Sequence, residues 1–476
     1  MMLLRRIGLC CCVWLLTVHS RAQQQQEVMH QDDQILQHSH VVIRNILVSG
    51  NKKTKQYIVS REITFDRDSS YSISDILRGI QTSRQNLMNT ALFVDAAVNF
   101  TNWQNDSLDI YAEVKERWYI FPLPYLKPVD RNLNVWLKDY DLSLDRVNYG
   151  MKLIVQNVTG RNDRLNAWLI GGYTERFAMR YYNPFSDNSL RHGWGIDVSY
   201  NRNREINYTT VNNRQVFYKD PKAFLRKQYY VGGLYSYRKG SVVRHYVRAG
   251  VQGEEVADTI TKMNPNYLGG GQKRVAFPEI RYTYQYFDLN YIPYPTRGSS
   301  VEIDVLRRGF GGKTDLTQLQ VRYGQYFPLP KKYYVSINAE ANVKLPFNQP
   351  FFNQQFMGYY ETFLRGLEYY VVDGVAGGMI RNTVGKEIIR HELNTGLKSK
   401  TYGKIPFRIF LKGFADVGYA YNKNNININP LNNKFLYSGG VGIDIVTIYD
   451  VVLRFEYSIN QRGESGFFVH RGEVRN

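Results

Sequence analysis

The chain has 476 residues, 14% of them aromatic, with 38 Tyr, 38 Gly and a formal net charge of +19. All three cysteines lie at positions 10–12, so nothing downstream supplies a disulfide scaffold, a thiolate zinc site or a catalytic cysteine. The basic residues form no long run, which points the charge toward anionic lipid head groups and away from nucleic acid.

Residues 1–22 read as a secretory signal peptide. Arg5 and Arg6 precede an apolar stretch at 7–18, and Ser20 and Ala22 place small residues before a cleavage point at Gln23. No later stretch reaches 18 consecutive apolar residues, so no transmembrane helix is expected after the signal. Residues 23–40 read as a polar linker. It contains His30, His38 and His40, taken as solvated residues and not as metal ligands.

Residues 41–117 read as one small α+β domain of order β-α-α-β-β. A strand at 41–49 ends at the turn signal Gly50-Asn51. Thr54 is placed to cap a helix running to Glu62. Ser74 and Asp75 open a second helix whose apolar stripe is Ile76, Leu77, Ile80, Leu87, Met88 and Leu92. A strand follows at 93–100, and Leu108, Ile110, Ala112 and Val114 alternate with polar residues in the last one.

From 118 to 476 the pattern is period-2 alternation. Val335, Ile337, Ala339, Ala341 and Val343 interleave with Ser336, Asn338, Glu340, Asn342 and Lys344, and the stretch 451–460 repeats the scheme. A soluble sandwich or a transmembrane barrel produces such alternation. Segment length near the ~9–11 residues of a tilted crossing favours the barrel, as do ions and amides on the polar face. At ~10 residues per crossing, about sixteen antiparallel strands are expected, the first near 119–124 and the last near 466–470. Loops are expected around 201–213, 269–271 and 422–433. Gly269-Gly270-Gly271 lacks the lysine and hydroxyl of a phosphate loop. No Gly-x-Ser-x-Gly elbow or His-Glu-x-x-His pair occurs, so no enzyme activity, metal site or cofactor is expected.

Four pieces of the sequence resemble the BamA/TamA superfamily of outer-membrane assembly and translocation barrels, in a short form with a single POTRA domain. Val48-Ser49-Gly50-Asn51 with Thr54, Asn89-Thr90 and Leu92-Phe93 resembles the POTRA unit. Asp288 followed by Tyr294-Pro295-Thr296-Arg297-Gly298 resembles a recurrent turn between barrel strands. Leu364-Arg365-Gly366-Leu367 resembles the motif of a loop that folds back into the lumen, with Leu367 in place of an aromatic. Phe414-Ala415-Asp416-Val417-Gly418, preceded by Glu392, resembles the strands on which that loop's arginine docks. Strand parity is an independent reading. Ile409, Leu411, Val417 and Tyr419 are odd-numbered, as are Ile389, Leu393 and Leu397, which turns Asp416 and Glu392 toward the lumen. Glu392 and Asp416 are thus the expected partners of Arg365.

The resemblance spans residues 41–476. It implies a bacterial outer-membrane location with the N-terminal domain in the periplasm. It also implies insertion or translocation of unfolded outer-membrane or secreted polypeptides, with outer-membrane lipids, lipopolysaccharide and periplasmic accessory proteins as partners. A dedicated two-partner secretion translocator and a passive porin-like channel are the alternatives. The chain departs from the superfamily in having one POTRA-like unit, and in ending beyond its last aromatics, Phe467 and Phe468.

Overall fold

A computed structural model describes residues 40–128, 147–311, 314–359, 362–394, 404–423 and 428–472. The expected signal peptide, and the linker up to residue 39, lie outside the described residues. The described chain forms two compact units. One comprises residues 40–51, 59–87 and 95–115, and the other 52–58, 88–94 and everything from 116 onward.

The smaller unit is built on β1 (His40–Ser49), α1 (Gln56–Ser60), β2 (Ser70–Ser72), α2 (Ile73–Asn89), β3 (Phe93–Gln104) and β4 (Ser107–Glu116), some of whose ends cross into the larger unit. Its mixed sheet has the order β2-β1-β4-β3, with β1 parallel to β4. The three-residue β2 was absent from the sequence expectation, being too short for alternation to register. Ser72 opens α2, two residues earlier than the expected Ser74. The Asp75 amide donates to Ser72 Oγ (3.1 Å), and Ser72 Oγ donates back to the Asp75 carboxylate (2.7 Å). This cap satisfies one of the amide donors that the first helical turn leaves open. Ile76 and Leu87 of α2 are buried, as are Ile43, Leu108, Ile110 and Ala112. Gly50 turns the chain at φ +82°, and a Cβ there would lie 1.9 Å from the Val114 carbonyl oxygen, which only glycine avoids.

The larger unit is a sixteen-stranded antiparallel sheet. Its strands are β5 (Ile120–Pro128), β6 (Val147–Gln156), β7 (Arg164–Gly172), β8 (Thr174–Asn183), β9 (His192–Asn203), β12 (Arg226–Tyr237), β13 (Val243–Val256), β14 (Arg274–Leu289), β15 (Gly298–Arg308), β16 (Leu316–Leu329), β17 (Tyr333–Leu345), β18 (Ala376–Asn394), β19 (Lys404–Tyr421), β20 (Phe435–Val446), β21 (Val452–Asn460) and β22 (Ser465–Gly472). Each pairs with its neighbour in this order, so β5 and β22 stand at the two ends of the series. A separate hairpin, β10 (Glu205–Val211) and β11 (Arg214–Lys219), lies between β9 and β12. The stretch 201–213, expected as a loop, therefore holds the end of β9, all of β10 and a tight turn. Asn212 and Asn213 make that turn at φ +51° and +57°, a conformation asparagine tolerates.

The sheet curls around an interior. A cavity of about 960 Å³ is lined by side chains from every strand between β14 and β22 together with the loop after β17. Burial along the strands runs opposite to that of a water-soluble protein. On β17 the polar Ser336, Glu340 and Lys344 are buried, whereas the apolar Ile337 and Leu345 on the other face are exposed. Leu169, Val231, Val441 and Phe467 extend the same outward apolar surface around the sheet. A sandwich would bury that face against a second sheet. Here it meets a surrounding apolar medium, and the polar face is enclosed. The fold is thus the expected transmembrane β-barrel. Among the described residues no helix is long and apolar enough to cross a membrane; strands make the crossing.

The two rims differ. At the rim where the chain enters at Ile120, the connections are short, such as 290–297, 330–332 and 447–451. At the other rim lie the β10–β11 hairpin, α3 (Asp258–Met263) and the long segment 346–375.

Candidate functional site: a loop locked inside the barrel

The segment 346–375 leaves β17 and turns back into the barrel. Its apolar side chains Phe356, Met357, Leu364, Leu367 and Tyr370 are buried in one cluster with Leu436 of β20. Leu364, Arg365, Gly366 and Leu367 form a tight turn closed by the Leu367 amide donating to the Leu364 carbonyl (3.1 Å). Gly366 sits at φ +88°, where a side chain would be strained.

Arg365 is the centre of this turn. Its Nε and Nη2 donate to the two carboxylate oxygens of Asp416 at 2.8 and 2.5 Å. Nη1 donates to Thr383 Oγ1 (3.0 Å) and Nη2 also to the Asn382 carbonyl (3.1 Å). The guanidinium lies 4.0 Å from the centroid of the Phe414 ring, and Nη1 is 3.9 Å from Glu456. Arg365 is 8% exposed and Asp416 1%. A fork-on-fork pair with an aromatic face beneath it suits a planar guanidinium and not an ammonium.

The strand pattern around Asp416 now has a physical meaning. Phe414, Asp416 and Gly418 alternate along β19 and share its inner face. Phe414 supports the guanidinium, Asp416 pairs with it, and Gly418 makes room. A Cβ at Gly418 would come 2.8 Å from Leu364 Cδ1. The Gly366 carbonyl accepts from Asn460 Nδ2 of β21 (2.8 Å), and the Tyr370 hydroxyl donates to Glu464 (2.7 Å). Leu367, where the resemblance led to expect an aromatic, is buried, and the neighbouring ring of Tyr370 is buried with it.

Glu392 does not join this site. Asp416 lies opposite Arg381 on β18, whereas Glu392 lies opposite Pro406 near the entry rim. Eleven residues of strand separate the two positions, roughly 35 Å at 3.3 Å per residue. Parity along β18 also slips at a bulge between Glu387 and Ile389, so Ile388 and Ile389 are both exposed. Parity constrains the face a residue occupies, but not its height along the strand.

The turn with Asp288, Pro295 and Gly298 reaches the lumen from the entry rim, opposite to the segment 346–375. Asp288 pairs opposite Ser299 and is exposed, and Pro295 lies in the connection. Gly298 has φ +109°, and a Cβ there would meet the Asp288 carbonyl oxygen at 1.9 Å. Within this turn Tyr294 is buried, and its hydroxyl donates to Asp444 (2.8 Å) and meets the Tyr334 hydroxyl (2.7 Å). Lys412 Nζ stands 2.7 Å from Asp444 and 2.6 Å from Glu456. A row of buried polar groups thus runs from Tyr294 through Asp444, Lys412 and Glu456 to Arg365. Sequence reasoning quoted Tyr294 only as part of the turn motif and did not single out Lys412, Asp444 or Glu456. The one signal of these three was inward parity, which many lumen residues share.

At the rim opposite the entry, Asn213 at the β10–β11 turn is buried. Its Nδ2 donates to the Val371 carbonyl and to Asn432 Oδ1, both at 3.0 Å, and its Oδ1 accepts from the Leu431 amide (2.8 Å). Asn429 Oδ1 accepts from the Asn213 amide (2.9 Å). The hairpin tip is therefore tied to the in-folded segment and to the β19–β20 connection. Among the described residues no group of three or more His, Cys, Asp or Glu is arranged to hold a metal ion.

No protein-family model matches the chain, and neither does any curated protein sequence. Solved structures similar to it include BamA from Haemophilus ducreyi lacking POTRA domains 1-3, with TM-score 0.48 and 15% identity over 90% of this chain and 83% of that one. CdiB from Acinetobacter baumannii gives 0.45 and 11%, over 90% and 74%. CdiB from Escherichia coli gives 0.45 and 10%, over 95% and 97%. The likeness is one of architecture.

Proposed function

We propose that this protein sits in a bacterial outer membrane and inserts or translocates other polypeptides. The observation that carries the reading is the filled lumen. The segment 346–375 occupies the barrel from one rim and the Tyr294 turn from the other, with a cavity of about 960 Å³ beside them. A barrel so plugged is poorly built for passive diffusion, which weighs against the porin-like reading.

The strand order supplies the working part. β5 and β22 end the series, and an end strand is where a new strand can be templated. An unfolded outer-membrane or secreted polypeptide is the client. Outer-membrane lipids, lipopolysaccharide and periplasmic accessory proteins are the remaining partners. No covalent bond is made or broken, so the residues named act by position alone.

Depletion followed by outer-membrane proteomics tests the reading. Broad loss of barrel proteins is the expected result. Loss of a single secreted protein supports the two-partner translocator instead, and an unchanged proteome overturns both.

A further inference from the structure

The outward face of the barrel ends differently at its two rims. On β9, β12, β13 and β14 the middle of that face is apolar and bare, with Trp194, Ile196, Val231, Val251 and Ile280 all exposed. Toward the entry rim it closes on rings. His192 lies opposite Tyr237, Tyr237 opposite His245, and His245 opposite Tyr284. Successive rings in this row stand 5.2, 6.0 and 5.4 Å apart. His192 Nδ1 meets the Tyr235 hydroxyl at 2.7 Å, and His245 Nδ1 meets that of Tyr282 at 2.9 Å. Amphipathic rings of this kind settle at the level of lipid head groups.

Toward the opposite rim the same face closes on charge. Arg202 lies opposite Lys227, Lys227 opposite Glu255, and Glu255 opposite Arg274. Glu175 of β8 extends the row on the other side of Arg202. On each of the four strands about ten residues separate ring from charge, roughly 33 Å of strand at 3.3 Å per residue. At a strand tilt of about 40° this is a height of roughly 25 Å, the thickness of the apolar band on an outer-membrane barrel. The charges therefore stand at the far edge of that band, on the side that faces lipid and not the lumen.

Their pairing leaves positive charge over. Arg202 Nε donates to Glu175 (2.6 Å), and Lys227 Nζ and Arg274 Nε both donate to Glu255 (3.0 Å each). Arg202, Lys227 and Arg274 thus share the two carboxylates. Arg204 adds a further cation. It donates to the Pro221 carbonyl (3.3 Å) and makes no ion pair among the described residues. The guanidiniums of Arg202 and Arg204 lie 4.1 and 4.7 Å from the centroid of one ring, that of Phe224. The Arg274 side chain is 71% exposed despite its ion pair. Basic side chains whose stems lie on apolar surface carry their charged ends to its edge. A phosphate group suits what they present there, since it accepts from a guanidinium fork and neutralises the surplus. On these strands the ring row at the entry rim holds neither Lys nor Arg, so the two ends of the face suit leaflets of different charge.

We propose that the row from Glu175 to Arg274 is a docking site for phosphate-bearing lipid head groups in the leaflet opposite the entry rim. This rests on the outer-membrane placement proposed above and adds where the barrel holds its lipid.

The test uses the full chain in micelles of an uncharged detergent, titrated with fluorescent lipid A, a diphosphorylated glycolipid, and with the same lipid after enzymatic removal of its phosphates. The expected result is binding of the phosphorylated form alone. The triple variant Arg202→Gln, Lys227→Gln, Arg274→Gln is expected to weaken it about a hundredfold, roughly fivefold for each basic side chain lost. Exposed ion pairs add little to stability, so the variant is expected to keep the folded mobility of the parent on unheated gels. Glu175→Gln with Glu255→Gln is expected to strengthen binding, whereas a row that serves only as an ion-pair ladder would lose equally from either set. Lys331→Gln with Lys332→Gln, at the entry rim, is expected to change nothing. Equal binding of the dephosphorylated lipid, displacement of lipid A by equimolar inorganic phosphate, or weakening by the glutamate variant overturns the docking row. So does parent-like binding by the triple variant. Each of these leaves the outer-membrane placement intact, while a parent chain that stays in solution without detergent overturns the placement itself.

Discussion

Arg365 and Asp416 carry the tightest claim. Both are buried and joined by two short hydrogen bonds, so removing one leaves the other as an uncompensated charge. Breaking such a pair costs about 3–5 kcal/mol. Arg365→Ala is expected to lower the unfolding temperature of the barrel and expose segment 346–375 to protease. A double-mutant cycle with Asp416→Asn is expected to show strong coupling, and one with Glu392→Gln none. Arg365→Lys restores charge without the fork and is expected to rescue little. A thermal-unfolding series on these variants checks all three statements. Gly298→Ala, at φ +109° and against a backbone oxygen, is expected to cost about 1–3 kcal/mol in the same assay. The Arg365–Asp416 pair was legible because a loop motif and a strand motif each pointed at one residue. Glu392 failed because an acid of the right parity can sit at any height on a strand. Lys412 and Asp444 were not legible at all, since their pairing joins strands whose register no single sequence displays.

At the scale of elements, the in-folded segment is held at separate points that can be released one at a time. Tyr370 donates to Glu464 in the β21–β22 connection. That hydrogen bond, with those from Asn460 and Arg462, outweighs the effect of burial and holds the carboxyl below its ordinary value of 4.5. A depressed carboxyl stabilises the fold above its unfolded value, and the contribution fades as pH falls through the lowered one. The segment is therefore expected to loosen in acid below pH 4.5 and not above it. Glu464→Gln is expected to flatten that dependence, read by limited proteolysis across pH. The Asn213 turn is a second fastening. Asn213→Ala leaves the Leu431 amide and the Val371 carbonyl without their partner, a loss of about 1–3 kcal/mol per unsatisfied group. The expected readout is brief channel openings in planar bilayers, rare in the parent protein. The sequence showed asparagines in a polar stretch and suggested a loop. A two-residue asparagine turn between strands of only six or seven residues leaves too little alternation to read.

For the whole molecule, alternation was enough to predict about sixteen strands, and the structure has sixteen in the main sheet. Alternation alone left sandwich and barrel both open. What separates them is which face is buried, and here the polar face of β17 is enclosed while its apolar face is bare. The excess length of β18 and β19, 19 and 18 residues against 13 for β17 and 12 for β20, was hidden for the same reason that barrels are legible. Alternation continues past the rim without any mark where the neighbours stop. The filled lumen and the two terminal strands β5 and β22 are the features the functional account needs together. The most direct measurement is reconstitution into liposomes with an unfolded outer-membrane barrel protein added, scored by its folded mobility on unheated gels. The account predicts faster folding of the client than in empty liposomes, and loss of that gain when a disulfide joins β5 to β22. Equal rates with and without the protein, alongside steady passage of small ions, would contradict it.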